Sequence, residues 1–181
     1  AYSLITHLFH YLIVCLDAFL AWYMPTKHFI SYDNRISPAN TITFNDGSEY
    51  TVEFWCKIAP DAIATYHSIA GRGTTSPWIG IQKTATDFKL FFRETISGAY
   101  FFSTSIPTAV FANWVQVVFS VSSSRVVNYY VNYSTGSFTD TDTLSTNTFY
   151  VSRLGGGYSS GGNFYAFDGN VGPMNVYNRA L

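Results

Sequence analysis

The feature that most constrains the fold is a set of short runs with apolar residues at every second position. In Tyr50-Thr-Val-Glu-Phe-Trp-Cys-Lys-Ile58, Val52, Phe54, Cys56 and Ile58 share one face, and Thr51, Glu53, Trp55 and Lys57 share the other. Val115, Val117, Phe119 and Val121 alternate in the same way with Gln116, Val118 and Ser120. A period of two sends successive side chains to opposite faces of an extended backbone, so each run reads as a half-buried strand. Shorter apolar runs at Thr41–Phe44, Ser68–Gly71, Trp78–Gln82, Phe88–Glu94, Ala99–Ser103 and Val126–Val131 extend the series. Turn residues separate them: Asn45-Asp-Gly-Ser48, Gly71 to Pro77, Ser97-Gly98 and Ser122-Ser-Ser124. Asp-Gly supplies the positive φ that a tight turn needs. Short strands recurring at this spacing specify an all-β sandwich or barrel.

Nothing divides the chain. No long amphipathic helix, repeat period or low-complexity linker is present, so residues 1–181 are expected to form a single domain. Residues 42–181 would be its core, and 1–41 an N-terminal strand and loop. Charged residues make up 12% of the chain and aromatic ones 19%, against roughly 25% charged in an average domain. The surface must therefore be rich in hydroxyls and amides, or be covered by partner subunits. A formal net charge of -1 provides no electrostatic footprint for nucleic acid or an anionic membrane.

The apolar stretch Ser3 to Met24 has about the length of a membrane span. Asp17 near its centre and His7 and His10 upstream are costly in lipid, and no Lys or Arg precedes Lys27 to form a signal-peptide n-region. A buried strand at Tyr11–Leu16, stopped by Pro25, is the better expectation, with a short helix as the alternative. Lys27 to Asn45 reads as loop apart from Thr41–Phe44.

Catalytic signals are weak. Glu49 and Glu53 share a strand face, but four residues place them roughly 13 Å apart, beyond the roughly 5–9.5 Å that glycosidase carboxylates require. A cross-strand partner for Glu53 would have to be Glu94 or Asp87. No Gly-x-Ser-x-Gly elbow accompanies the four histidines. The glycine-rich stretch Leu154 to Gly162 lacks the Lys-Ser/Thr ending of a phosphate loop. Cys15 and Cys56 sit in apolar runs and read as reduced core thiols, a disulfide between them being the alternative. With His7, His10, His28 and His67 scattered, they make no zinc set. Asp140-Thr-Asp142 offers hard oxygens for Ca²⁺, but reads better as a solvated loop. No cofactor is implied.

Several segments, taken in order, resemble laminin-G-like, concanavalin A-type jelly rolls. Phe44 to Ile58 is similar to the core strand of that family that follows a turn. Asn113-Trp-Val-Gln-Val-Val-Phe119 is similar to its tryptophan-led strand, and Tyr130-Val-Asn132 and Leu154-Gly-Gly156 to later landmarks. Phe167-Asp-Gly-Asn-Val-Gly-Pro-Met-Asn-Val-Tyr-Asn-Arg-Ala-Leu181 resembles its ending and is the most specific match. Tyr133 departs from the pattern, standing where the family usually has glycine. The resemblance implies a two-sheet antiparallel jelly-roll sandwich whose first and last strands lie side by side. It also implies binding by rim loops or a sheet face, commonly to carbohydrate or protein.

Domains with this ending are familiar in tailed-phage structural proteins. The function expected is thus a non-enzymatic virion module, a capsid decoration or tail/fibre-type subunit, that assembles with itself or other virion proteins and attaches to cell-surface glycan. A secreted carbohydrate-binding lectin is the alternative, and a glycoside hydrolase a weaker third. Among turn residues, Arg72, Trp78, Tyr158 and Asn163 are the candidate glycan contacts, since a sugar's apolar face packs on an aromatic ring. Trp55 and Trp114 are expected to serve core or sheet-face packing.

Overall fold

A computed structural model describes residues 27–29, 41–58, 65–72, 75–94, 100–134, 136–154, 156–157 and 165–181. At 27–29, 72, 75–76, 153, 156–157 and 165–166 it describes the backbone only. The strands are β1 (Lys27–Phe29), β2 (Ile42–Phe44), β3 (Tyr50–Ile58), β4 (Tyr66–Arg72), β5 (Thr75–Lys83) and β6 (Asp87–Arg93). Next come β7 (Tyr100–Phe102), β8 (Ile106–Pro107), a single helical turn α1 (Thr108–Phe111), β9 (Val115–Val121), β10 (Val126–Tyr133) and β11 (Gly136–Thr143). The chain closes with β12 (Phe149–Val151), β13 (Arg153–Leu154), β14 (Gly156–Gly157), β15 (Tyr165–Ala166) and β16 (Gly169–Tyr177).

Two antiparallel sheets face each other. Sheet A has the order β1-β16-β3-β9-β10-β11, and sheet B the order β13-β4-β5-β6-β7 with β8 also on β6. Small β2–β12 and β14–β15 ladders complete the jelly-roll sandwich. The first described strand pairs with the last: Lys27, His28 and Phe29 lie opposite Val171, Asn170 and Gly169. The expectation of loop at Lys27 is corrected here, because an unpaired edge of β16 gives this segment ladder hydrogen bonds that its composition does not advertise. The strand expected at Tyr11–Leu16, and Cys15 with it, lies outside the described residues. No helix among the described residues is long and apolar enough to cross a membrane.

Alternation decides what is inside. Val52, Phe54, Cys56, Val115, Val117, Phe119 and Val121 are fully buried, facing Ile79, Ile81, Leu90 and Phe92 of sheet B in one core. Rings pack within and between the layers: Phe54 stacks on Phe119 inside sheet A, and Tyr50 of sheet A and Phe92 of sheet B both pack on Phe149. Cys56 is a free thiol, and its burial pushes the pKa far up, which makes it inert. The turn before β3 forms at Gly47, with φ +83°. Buried Asn147 fastens that end of the sandwich. Its Oδ1 accepts from the Gly47 amide at 2.6 Å, and its Nδ2 donates to the Ser48 and Ser122 carbonyls at 2.7 and 3.0 Å. At Tyr133, β10 ends opposite Gly136, so here the glycine opens β11 and does not follow Val-Asn directly.

At Gly169, φ is +156° and a Cβ would lie 2.2 Å from the Lys57 carbonyl oxygen. Gly169→Ala should therefore cost about 3 kcal/mol or more, read as a lowered midpoint in urea unfolding at unchanged m. A loss within error would show that the β3–β16 ladder yields easily.

Candidate functional site

Of the four residues singled out in turns, two lie among the described residues, and the structure places both in strands. Strands β4 and β5 extend further than their sequence suggests, leaving only residues 73–74 between them. Arg72 is accordingly the last residue of β4, and Trp78 lies within β5, 3% exposed, its ring against Gly71. A ring so covered offers no face to a ligand. Tyr158 and Asn163 lie outside the described residues. Asp140 and Asp142 are also not in a loop. They belong to edge strand β11, opposite Tyr129 and Val127. Asp140 accepts the Thr104 amide at 2.6 Å and the Thr141 amide at 2.8 Å. Burial pushes its pKa up, but those bonds outweigh it and hold the carboxyl below its usual value. No group of three or more His, Cys, Asp or Glu suited to a metal occurs among the described residues.

What the strands do bring together is an aromatic and amide platform on the outer face of sheet A. Trp55 and Trp114 are each 40% exposed and, with Leu181, are the exposed large apolar side chains among the described residues. Trp55 points outward because its neighbours Phe54 and Cys56 point in. Trp114 does so because it directly precedes inward Val115. Alongside β3, on the side away from β9, runs the bulge of β16, where the register shifts between Val171 and Met174. A Cβ on Gly172 in that bulge would lie 3.2 Å from Trp55 Cβ and 3.3 Å from Trp114 Cζ3, so its absence leaves room for the Trp114 indole to reach across β3 to the base of Trp55.

Beside the tryptophans runs a polar ladder. Trp55 stands opposite Gln116, and Gln116 opposite Asn132, across β3, β9 and β10. Asn132 Nδ2 donates to Gln116 Oε1 at 2.9 Å, and Gln116 Nε2 donates to Glu53 Oε1 at 2.5 Å. Tyr177 Oη donates to Glu53 Oε2 at 2.9 Å. Partial burial first, and that bond second, raise the Tyr177 pKa. Each amide keeps a second N–H, and the carboxylate further lone pairs, for a ligand. The orientation of every member is fixed beforehand. The signal for this site was already in the sequence: parity alone sets Glu53, Trp55 and Gln116 on one face.

The carboxylates considered for hydrolysis are kept apart. Glu53 is on the outside of sheet A, whereas Glu94 is buried at the end of β6. There it accepts the Ser145 and Thr146 amides at 2.5 and 3.0 Å, and the Ser145 hydroxyl. Asp87 begins β6 on the other sheet.

With this geometry in view, the family can be stated. Residues 31–181 match the laminin-G-type family model described as the Concanavalin A-like lectin/glucanases superfamily. The chain belongs to that superfamily. Among solved structures, the native heptameric SAP-like pentraxin from Limulus polyphemus is similar at TM-score 0.54 and 13% identity, covering 86% of this chain and 76% of that one. Domain 4 of AbnA, an extracellular GH43 arabinanase from Geobacillus stearothermophilus solved with arabinotriose, is similar at TM-score 0.44 and 20% identity, covering 88% and 84%. The pentraxin likeness speaks for the fold. No match was found among curated protein sequences.

One electrostatic feature near the platform's far end is testable. The Arg125 guanidinium binds both Asp46 oxygens, with Nε donating at 3.0 Å, and Asn147 N donates to Asp46 at 3.1 Å. These bonds, Arg125's first, lower the Asp46 pKa from 3.8. A pKa depressed by folding adds stability that is full above the unfolded value and is lost as pH falls through the folded one. Thermal midpoints followed from neutrality to about pH 3 should fall more for the wild type than for Asp46→Asn. The effect will be small, since the pair is exposed. Parallel curves would show the pair to be thermodynamically silent.

Proposed function

We propose that this protein is a non-catalytic carbohydrate-recognition module that binds glycan on the outer face of sheet A. The observation that carries the reading is the pair of exposed tryptophans over Gly172, bordered by amides and a carboxylate already oriented by one another. A sugar ring presents an apolar C–H face to an indole and hydroxyls to amides and carboxylates, and this face supplies both in one plane. Exposed tryptophan on a soluble surface is otherwise unfavourable, which favours a binding role. The separated carboxylates, each held by its own hydrogen bonds, support the non-catalytic part.

A second reading draws on the same pair. Tryptophan is enriched at the centres of protein interfaces, and a chain with only 12% charged residues suits a subunit that covers much of its surface. On this reading the protein is a virion structural module, a capsid decoration or tail/fibre-type subunit, assembling with itself or with other virion proteins. Light scattering after gel filtration separates the two. A defined oligomer dissolved by Trp55→Ala supports assembly, and a monomer that binds glycan supports an extracellular lectin.

On a glycan array, Trp55→Ala and Trp114→Ala should each weaken the strongest signals at least about tenfold with unchanged thermal midpoints. Undiminished binding by the double variant would remove this face from the reading. Release of reducing ends from any bound polysaccharide, abolished by Glu53→Gln, would overturn the non-catalytic assignment.

A further inference from the structure

We infer that Asn132 is the acceptor of an N-linked glycan, and that the attached chain regulates the platform on sheet A by covering its Trp55 end. Asn132-Tyr133-Ser134 is the one Asn-x-Ser/Thr triplet, x being other than Pro, in the 181 residues. Asn132 and Ser134 are both exposed, the first near the end of β10 and the second in the turn after it. The regulatory half rests on the carbohydrate-recognition reading, whereas the acceptor half stands without it.

The chemistry uses a hydrogen that the fold leaves over. Asn132 Nδ2 carries two, and the bond to Gln116 Oε1 at 2.9 Å engages one of them. In the transfer, the amide nitrogen forms a bond to the anomeric carbon of a lipid-pyrophosphate-linked oligosaccharide. The bond from that carbon to the pyrophosphate oxygen breaks, the lipid pyrophosphate leaves with the electron pair, and one amide proton passes to a base. The product is a secondary amide that keeps one N–H for Gln116, so modification and platform geometry are compatible. Asn128 faces the same way on β10, but Tyr130 stands where an acceptor triplet needs Ser or Thr.

Register says what lies beside the attachment point. Trp55, Gln116, Asn132 and Ser137 form one row across β3, β9, β10 and β11. Asn132 is two strands from Trp55, about 10 Å at the usual strand spacing, a span that the first two sugars of a chain cover. Half-buried Tyr130 precedes Asn132 by two residues on the same face, and half-buried Val118 stands opposite Tyr130 on β9. A pyranose offers its C–H face to such a ring, which holds the first sugar down along the sheet. In the other direction the row ends after one strand. Ser137 and Thr139 of edge strand β11 are exposed and polar, and offer the chain no apolar surface.

A chain lying along this row occupies the surface on which a free glycan would rest. Being tethered, it competes at an effective concentration on the order of millimolar. The platform is thus covered in the modified protein and open where the chain is absent or trimmed.

Secretion of the full chain from cultured eukaryotic cells, behind a cleavable signal, supplies the transferase and its lipid-linked donor. A mass increase that peptide-N-glycosidase removes is expected in the wild type and in a larger fraction of Ser134→Thr. Ser134→Ala and Asn132→Gln should show none. Oxidation by N-bromosuccinimide, mapped by peptide mass, then reads the cover over the indole. Trp55 should react several-fold more slowly in the glycosylated wild type than in Ser134→Ala, and trimming to the first sugar with an endoglycosidase should restore the rate. On a glycan array the glycosylated chain should bind several-fold more weakly than Ser134→Ala, with thermal melts verifying that both are folded. A mass increase missing from both the wild type and Ser134→Thr, or persisting in Ser134→Ala, overturns the acceptor site. Equal Trp55 oxidation in the two forms overturns the cover. Should neither form bind any glycan, the recognition reading fails, while mass and oxidation still decide the modification and its reach.

Discussion

Burial of one face of each strand is the constraint on which both outer faces of the sandwich depend. In β3, Val52, Phe54, Cys56 and Ile58 are withdrawn from water and packed against sheet B. Because side chains alternate strictly, a slip of one residue would turn Glu53, Trp55 and Lys57 into the core and put four apolar groups outside. An unpaired carboxylate and ammonium in that core would cost several kcal/mol each, far more than a ladder gains by any other register. The core therefore fixes the position of Trp55 as firmly as that of Phe54, and no separate interaction is needed to point the indole outward. The same holds for Phe91 and Arg93, turned out by Leu90 and Phe92.

With few charges, the chain places several of its buried polar groups near strand ends. Asn147 has three of its side-chain hydrogen bonds to backbone of two different turns, and Glu94 takes two amides and a hydroxyl from residues 145 and 146. A loop bound in this way needs neither disulfide nor metal to stay in register. The same end of sheet A is closed in a related manner by residues 179–181. Thr51 Oγ1 donates to the Arg179 carbonyl at 2.9 Å, while Ser120 Oγ accepts the Leu181 amide at 2.9 Å and donates to its carbonyl at 3.0 Å. This explains why Thr51 and Ser120, outward by parity, are nonetheless fully buried.

The architecture was legible in the sequence because it rests on period-two burial, and β3, β9 and β10 occur where alternation places them. The site was less legible for two reasons. Assigning Arg72 and Trp78 to a turn followed from counting Gly71, Gly73 and Pro77 as breakers, yet Pro77 sits inside β5 and the strands simply continue around it. Register shifts within β4–β5, between Ser68 and Ala70 and between Gly71 and Arg72, accommodate this, and local composition does not reveal them. In the second case the information was present in the alternation. Parity already separated Trp55 from its buried neighbours, but a tryptophan in a strand reads as packing until the neighbouring strands are known. Only the pairing with Gln116 and Asn132, and the approach of Gly172 from the far end of the chain, turn an outward ring into part of a surface.

The treatment of strand edges bears on how such a protein binds. A free edge invites pairing with a further strand, and both ends of sheet A discourage it. At β11, Asp140 and Asp142 point to the inner side, where carboxylates oppose the closure of another chain over the edge, and Asp140 is tied across to the Thr104 amide of the facing layer. At the other edge, β1 lies along residues 169–171 of β16, and past it the bulge carries Pro173, which has no N–H to offer. Recognition by backbone extension is thus disfavoured, and what the sandwich presents instead are side chains on two flat faces. Side chains on a pleated surface repeat at the strand spacing of about 4.8 Å, a pitch that suits ligands built of repeating rings better than it suits an extended peptide seeking hydrogen bonds. The low charge of the chain and the fixed orientation of its ladders serve the same end: little has to be desolvated or reorganised when a ring settles on the outer face of sheet A.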